Sequence, residues 1–122
     1  MTKRVLVVDD QPELRKLITM TLQMGDYEVD EAEDATQGYE KVKSFRPDIL
    51  LLDVMMPGEM DGYQLCEKLK SDSNYPNLSV VLLTARGQAS DIEQGERAGA
   101  DRYLVKPFSP LQLVQTVREL TQ

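Results

Sequence analysis

The sequence contains no histidine and a single cysteine, Cys66, among its 122 residues. Without histidine, nucleophiles activated by a Ser-His or Cys-His pair and metal sites with imidazole ligands are excluded. One cysteine permits no disulfide within the chain, so Cys66 is interpreted as a packing residue, and a reducing compartment is compatible with it. Any chemistry in this chain must use carboxylates, hydroxyls and lysines.

Long apolar runs and basic runs are also missing. No apolar run approaches the roughly 20 residues that cross a bilayer, and the four apolar residues after Arg4 are too few for a secretory signal. We therefore expect a cytoplasmic location without membrane insertion. The formal net charge of −7, from 14 basic and 21 acidic residues, opposes contacts with a phosphate backbone, so no direct nucleic-acid partner is expected.

The chain has the length of one domain, and residues 1–122 are expected to form it without an output domain. Short apolar runs rich in β-branched residues predict buried strands at residues 5–8, 49–52, 80–83 and 103–105, and residues 27–30 alternate as an edge strand does. Segments of helical periodicity lie between and after them. This alternation predicts an α/β fold, a single doubly wound parallel sheet of five strands flanked by five helices.

Several residues mark the helix starts. Prolines stand where a first helical residue is expected, and three residues have capping-box spacing to a Gln or Glu three positions on. The prolines are Pro12 and Pro110, and the capping residues are Asp34, Ser90 and Ser109. The fourth helix, about residues 91–98, has few apolar residues and contains Gly95, so it is predicted to be the least rigid.

Polar residues end the four buried runs. Asp9 and Asp10 follow the first, and Asp53, Thr84 and Lys106 follow the other three. Ligands of open α/β sheets bind outside the carboxyl ends of the strands, so these side chains are expected to lie together. Three neighbouring aspartates repel one another unless a cation compensates, and Mg²⁺ suits oxygen ligands that share it with a phosphate. An aspartate can accept a phosphoryl group that a lysine and a hydroxyl contact, which predicts phosphoryl transfer.

Five groups of residues along the whole chain form a specific pattern. They are VLVVDD at 5–10, DVMMP at 53–57 with MDG at 60–62, LTA at 83–85, AGAD at 98–101 and YLVKPF at 103–108. In this order they resemble the receiver domain of bacterial two-component response regulators. The resemblance implies a flavodoxin-like sheet of strand order 2-1-3-4-5 and a cis peptide bond before Pro107. It also implies a signalling switch that is no enzyme beyond its own phosphorylation and dephosphorylation.

The resemblance also implies a role for each site residue. Asp53 is implied to be the phosphoacceptor, Thr84 and Lys106 to contact the phosphoryl group, and Thr84 and Tyr103 to form the switch. The implied cofactor is Mg²⁺, with Mn²⁺ as a possible substitute. Its implied ligands are Asp9, Asp10, Asp53 and the backbone carbonyl of Met55.

The implied partners are proteins. A sensor histidine kinase or a histidine phosphotransfer protein is expected to phosphorylate Asp53, and a downstream protein to bind the face formed by the fourth helix, fifth strand and fifth helix. Members that dimerise through this face and bind DNA carry complementary charges there, where this chain has Ile92, Gln94, Arg102 and Thr116. We therefore expect a monomer or weak dimer. The loop at residues 57–62 is one residue longer than the family pattern.

Other interpretations remain open from the residues alone. Asp10 is equally suited to cap the first helix, with Glu13 three residues on, and Lys106 alone is typical of a surface lysine. An Asp-nucleophile hydrolase would use similar groups, but it would carry a second aspartate where this chain has Met55. A nucleotide-binding module is disfavoured because neither a P-loop nor a Gly-x-Gly-x-x-Gly motif follows any predicted strand. A degenerate receiver that acts only as an interaction module is disfavoured by the complete set of polar strand ends.

Overall fold

The computed structural model describes residues 2–56, 58, 60–84 and 89–121, without the side chains of residues 89–92. Strands and helices alternate along the chain, as the periodicity predicts. The strands are β1 (Arg4–Val8), β2 (Glu28–Ala32), β3 (Ile49–Asp53), β4 (Ser79–Thr84) and β5 (Arg102–Val105). The helices are α1 (Pro12–Gln23), α2 (Ala35–Phe45), α3 (Gly62–Lys70), α4 (Ala89–Ala98) and α5 (Pro110–Thr121).

The five strands form one parallel sheet in the order β2-β1-β3-β4-β5. This confirms the doubly wound fold and the implied strand order. The chain builds outwards from β1 to β2 and then crosses to β3 on the other side. The carboxyl ends of β1 and β3 therefore flank the point where the strand order reverses, which is where such sheets bind ligands.

The sheet buries apolar side chains on both faces. Along β3, Leu50 and Leu52 face one core layer, and Ile49 and Leu51 face the other. All four are fully buried. Each such side chain contributes roughly 1.5–3 kcal/mol by leaving water, so the central strands form a rigid support for the residues that follow them.

The edge strand β2 begins and ends later than predicted. The alternating pattern indicated residues 27–30, but the Tyr27 N–H donates to the Leu22 carbonyl and belongs to the turn after α1. Glu31 and Ala32 instead extend the strand, opposite Val7 and Val8 of β1. An alternation of apolar and polar residues does not show where pairing with the neighbouring strand stops.

The predicted helix starts are correct at four of five positions. Pro12 and Pro110 are the first residues of α1 and α5, and Asp34 and Ser109 cap α2 and α5 by accepting bonds from the N–H groups of Gln37 and Gln112. The prediction for Ser90 is wrong, because α4 already begins at Ala89. Within the part of the chain that the structure describes, no helix is long and apolar enough to cross a membrane.

Candidate metal and phosphoryl site

Three carboxylates meet at the carboxyl edge of the sheet. Asp9 and Asp10 follow β1, and Asp53 is the last residue of β3. Each offers an oxygen atom, and the three oxygens lie within 4.8 Å of one another. The structure therefore brings together the three side chains that the sequence predicts as metal ligands, and hard oxygen donors of this kind suit a small divalent cation.

Asp9 is fully buried and hydrogen-bonded throughout. Its Oδ1 accepts the Gln11 N–H at 2.8 Å, and its Oδ2 accepts from Lys106 Nζ at 3.0 Å. Its backbone N–H donates to the Ala32 carbonyl of β2 at 3.2 Å. A buried charge is tolerated only with such partners, so the Asp9 carboxylate is held in place from several sides.

Asp53 is 3% exposed, and its environment disfavours the charged form. Burial is the main cause, and the neighbouring Asp9 charge adds to it. The Met55 N–H, which donates to Asp53 Oδ1 at 3.1 Å, and Lys106 Nζ, 3.4 Å from the same oxygen, act in the opposite direction. The balance raises the pKa of Asp53 from its ordinary 3.8 to about 6. A cation at this site would favour the carboxylate form.

Asp10 differs from the other two carboxylates because it is exposed. The N-cap position of α1 is occupied by Gln11, whose side chain makes no capping bond. The helix-cap interpretation of Asp10 therefore fails on position. Its carboxylate instead lies beside that of Asp53, where it favours the protonated form of Asp53 and so contributes to the raised pKa of that residue.

Lys106 lies between the buried carboxylates rather than on the open surface. Its side chain is 19% exposed and forms ion pairs with Asp9 and Asp53. The Lys106 N–H donates to the Thr84 carbonyl at 2.6 Å, and the Lys106–Pro107 peptide bond is cis, as the resemblance implies. The interpretation of Lys106 as a surface lysine is therefore wrong.

Thr84 and Tyr103 occupy neighbouring strands. Thr84 is the buried last residue of β4, and Tyr103 of β5 pairs with Leu82, two residues earlier. The Tyr103 ring packs against α4 at Gly95, where an added Cβ atom would lie 2.5 Å from Tyr103 Cε1. Burial, with Glu96 nearby, raises the pKa of the Tyr103 hydroxyl. The absence of a side chain at Gly95 thus makes room for the aromatic ring.

The segment after Asp53 folds back so that Gly62 lies close to the backbone of Asp53 and Val54. Met55, two residues after Asp53, is 72% exposed. A Cβ atom on Gly62 would overlap the Asp53 carbonyl oxygen, and the Gly62 N–H donates to the Val54 carbonyl at 3.4 Å. The MDG motif signals this glycine, although the sequence analysis assigned it no role. The predicted longer loop includes residues 57 and 59, which lie outside the described residues.

An unpredicted capping box fixes the start of α3 beside this segment. Asp61 Oδ1 accepts the Gln64 N–H, and Gln64 Oε1 accepts the Asp61 N–H, both at 2.9 Å. The D-x-x-Q spacing at residues 61–64 is the signal that could have revealed it. The box holds the helix that follows Gly62, and so supports the close approach of Gly62 to the end of β3.

Comparison with known proteins establishes the class. Residues 5–118 match the family model of the response regulator receiver domain, and the chain belongs to this family. Receiver domains are phosphoaccepting signalling switches of two-component systems rather than classical enzymes; they interact with histidine kinases and bind Mg²⁺ at an acidic pocket.

Individual relatives share the whole domain. The chain is 38% identical to the DNA-binding dual master transcriptional regulator RpaA of Synechocystis, over 96% of this chain and 48% of the relative. It is 41% identical to the DNA-binding response regulator MtrA of Mycolicibacterium smegmatis, over 97% and 50%. A crystal structure of a putative response regulator from Chloroflexus aurantiacus superposes with a TM-score of 0.92 at 33% identity, over 98% of both chains. The chain thus spans about half the length of the curated relatives.

Proposed function

We propose that Asp53 of this receiver domain accepts a phosphoryl group in a Mg²⁺-dependent reaction with a sensor histidine kinase or a histidine phosphotransfer protein. The observation that carries the proposal is the position of the buried Asp53 carboxylate, which lies beside the carboxylates of Asp9 and Asp10 and 3.4 Å from Lys106 Nζ. The family gives the general function, and this arrangement supports Asp53 as the acceptor. We also propose a cytoplasmic location, with which the buried free thiol of Cys66 is compatible.

The chain's own groups suit a hard cation beside the acceptor. We assign Asp9, Asp10, Asp53 and the Met55 carbonyl as the ligands of Mg²⁺ or Mn²⁺. When bound, the ion supplies positive charge that neutralises the carboxylates and the incoming phosphoryl oxygens. Asp9 is held in place for this role by Gln11 and Lys106, and the exposed Asp10 leaves one side of the cluster open to solvent.

The transfer step uses Asp53 as the nucleophile. One carboxylate oxygen forms a bond to phosphorus, while the bond from phosphorus to the donor imidazole nitrogen breaks and its electron pair returns to that nitrogen. Lys106 is a flexible point charge already within 3.4 Å of Asp53, so it can follow the transferred group. The Thr84 hydroxyl supplies a neutral hydrogen-bond donor from the end of β4.

The phosphorylated state is proposed to act through the α4-β5-α5 face. A Thr84 hydroxyl drawn towards the phosphoryl group would change the space next to Tyr103, whose ring packs on Gly95 of α4. Because Tyr103 contacts α4 and lies on the strand next to that of Thr84, a local charge can shift the helix population. We propose that a downstream protein binds this face.

The same face bears on oligomeric state and nucleic acid. Arg102 pairs with Glu119 of its own chain at 3.5 Å, so its charge is partly met without a second copy. A monomer or weak dimer remains our proposal. The expectation of no direct nucleic-acid contact concerns this chain alone, because RpaA and MtrA are DNA-binding proteins of about twice its length.

The acceptor is tested with a small-molecule acyl phosphate, acetyl phosphate, in place of a kinase. Wild-type protein with Mg²⁺ should gain one phosphoryl mass that is lost on acid or base treatment, and Asp53→Asn should not. Asp26→Asn removes an exposed carboxylate from the turn after α1 and serves as the control that retains the adduct. An adduct of equal yield in Asp53→Asn would refute the assignment.

A second experiment separates the switch from a hydrolase. A receiver phosphorylates itself once and turns over external phosphate esters no faster than buffer, because no second acidic side chain lies two residues after Asp53. Steady-state release of phosphate from a generic ester, abolished by Asp53→Asn, would favour the hydrolase. Phosphotransfer profiling against the histidine kinases of the source organism would then identify the donor.

A further inference from the structure

We propose that Arg15 is a positioning residue for the acidic pair Asp9–Asp10, and that it sets the Mg²⁺ affinity of the site without touching the metal. Arg15 lies in the second turn of α1 and has no part in the family motifs considered above. Its guanidinium group reaches back over the start of the helix. Nη1 donates to the Asp9 carbonyl at 2.7 Å, and Nε donates to Glu31 Oε1 of β2 at 3.1 Å.

The bonded carbonyl belongs to the peptide group that joins Asp9 to Asp10. A peptide group is planar, so holding its oxygen also fixes the directions of the Asp10 N–H and Cα atoms. The preceding peptide is held separately, because the Asp9 N–H donates to the Ala32 carbonyl. With both peptide groups bonded, the backbone turns from β1 towards α1 in one conformation.

Asp10 depends on this restraint more than Asp9 does. The Asp9 carboxylate is buried and bonded to Gln11 and Lys106, so the core itself retains it. The Asp10 side chain is exposed, and packing contributes little to its position. The direction in which Asp10 presents its carboxylate therefore follows from the orientation of its backbone.

The geometry of Arg15 suits a fixed support. Its side chain is 16% exposed, whereas that of Glu31 is 42% exposed. A planar guanidinium group with several donors can hold a carbonyl and a carboxylate at once, which the single ammonium group of a lysine cannot do as rigidly. Groups that orient metal ligands in this way typically change metal affinity by about 10- to 100-fold when removed.

The chain provides a matched control in Arg4, at the opposite end of β1. Arg4 Nε donates to Glu28 Oε2 at 3.2 Å, and Arg4 Nη1 donates to the Phe45 carbonyl at 2.8 Å. Like Arg15, it joins a glutamate of β2 to a backbone carbonyl. Unlike Arg15, it lies at the edge of the sheet opposite the cluster of Asp9, Asp10 and Asp53. A general loss of stability should therefore affect both arginine variants, whereas a positioning effect should affect only one.

The experiment compares Arg15→Met, Arg15→Lys and Arg4→Met in the complete chain. Mg²⁺ affinity is measured by titration with amide NMR detection, and the free energy of unfolding is measured in metal-free urea. We expect Arg15→Met to bind Mg²⁺ about 10- to 100-fold more weakly and to shift the Asp10 and Gln11 amide signals before metal is added. Arg15→Lys should recover part of the affinity, and Arg4→Met should retain all of it.

Because the role rests on the proposed Mg²⁺ site, the wild-type titration is read first. Wild-type protein that does not bind Mg²⁺ would overturn the proposed site together with this role. Wild-type binding with unchanged affinity in folded Arg15→Met overturns the role of Arg15 alone. If Arg15→Met fails to fold, Arg15→Gln, which also lacks the guanidinium group, replaces it, and wild-type affinity with unshifted Asp10 signals in that variant has the same effect. Equal losses in the Arg15 and Arg4 variants would show a structural role only.

Discussion

Replacing Asp53 by asparagine is expected to stabilise the metal-free protein at neutral pH. Asparagine keeps an oxygen that can accept the Met55 N–H but removes the buried charge that Asp9 repels. The pKa of Asp53 is raised from 3.8 to about 6 in the folded state. At 1.36 kcal/mol per pKa unit, about two units correspond to about 3 kcal/mol at most. The attraction of Lys106 is already included in that raised pKa, so we expect a gain of about 1–3 kcal/mol.

The sign of the effect defines its pH range. Between pH 3.8 and about 6 the folded protein binds more protons at Asp53 than the unfolded chain does, so wild-type stability falls as pH rises. The advantage of Asp53→Asn should therefore be complete above about pH 6 and disappear below pH 3.8. Mg²⁺ should reduce the stability advantage of Asp53→Asn, because a Mg²⁺ concentration of ten times the Kd stabilises the wild type alone by about 1.4 kcal/mol.

Urea unfolding at pH 7.5 and pH 4, with and without Mg²⁺, measures each part of this expectation. Asp26→Asn is the charge-matched control; it removes an exposed carboxylate, and its unfolding free energy should stay within about 0.5 kcal/mol of the wild type. An Asp53→Asn variant that is no more stable than wild type at pH 7.5 without metal would refute the raised pKa. A gain that persists unchanged at pH 4 would show that packing, rather than charge, is responsible.

Three further outcomes follow from the structure. Gly62→Ala should lower the free energy of unfolding in urea by about 2–3 kcal/mol, because the added Cβ atom meets the Asp53 carbonyl oxygen. Gly25→Ala, whose Cβ atom would have no contact below 3.3 Å, should lower it less. Equal losses would exclude the backbone clash. Lys106→Met should still bind Mg²⁺ but should raise the pKa of Asp53 further, because Lys106 lowers that pKa in the wild type. Carboxyl-detected NMR measures this pKa, and an unchanged titration would show that the ion pair is not formed. Burial raises the pKa of Cys66 to about 12, so a disulfide reagent at pH 8 should modify it only after unfolding, and rapid modification of the native protein would contradict the packing of α3 against α4.

The elements of the fold were predictable because their signals are local. The run Ile49–Leu52 is apolar on every residue, as a strand with two covered faces requires, and Pro110 and Ser109 mark the start of α5 through backbone chemistry confined to one turn. Signals failed where the deciding partner is remote. The true extent of β2 follows from pairing with β1. The capping-box spacing of Ser90 also did not locate the start of α4, which is at Ala89.

The sequence by itself determined that polar residues follow buried strands, and hence that Asp9, Asp10, Asp53, Thr84 and Lys106 share one edge of the sheet. Parallel strands align their carboxyl ends, so order along the chain is enough for that conclusion. Only the tertiary structure decided the contacts within the group. Lys106 and Asp9 are 97 residues apart in the chain and 3.0 Å apart in space. Burial, the raised pKa of Asp53 and the bond from Arg15 to the Asp9 carbonyl all depend on distances that no residue pattern contains, because each arises from elements packed together across the sheet.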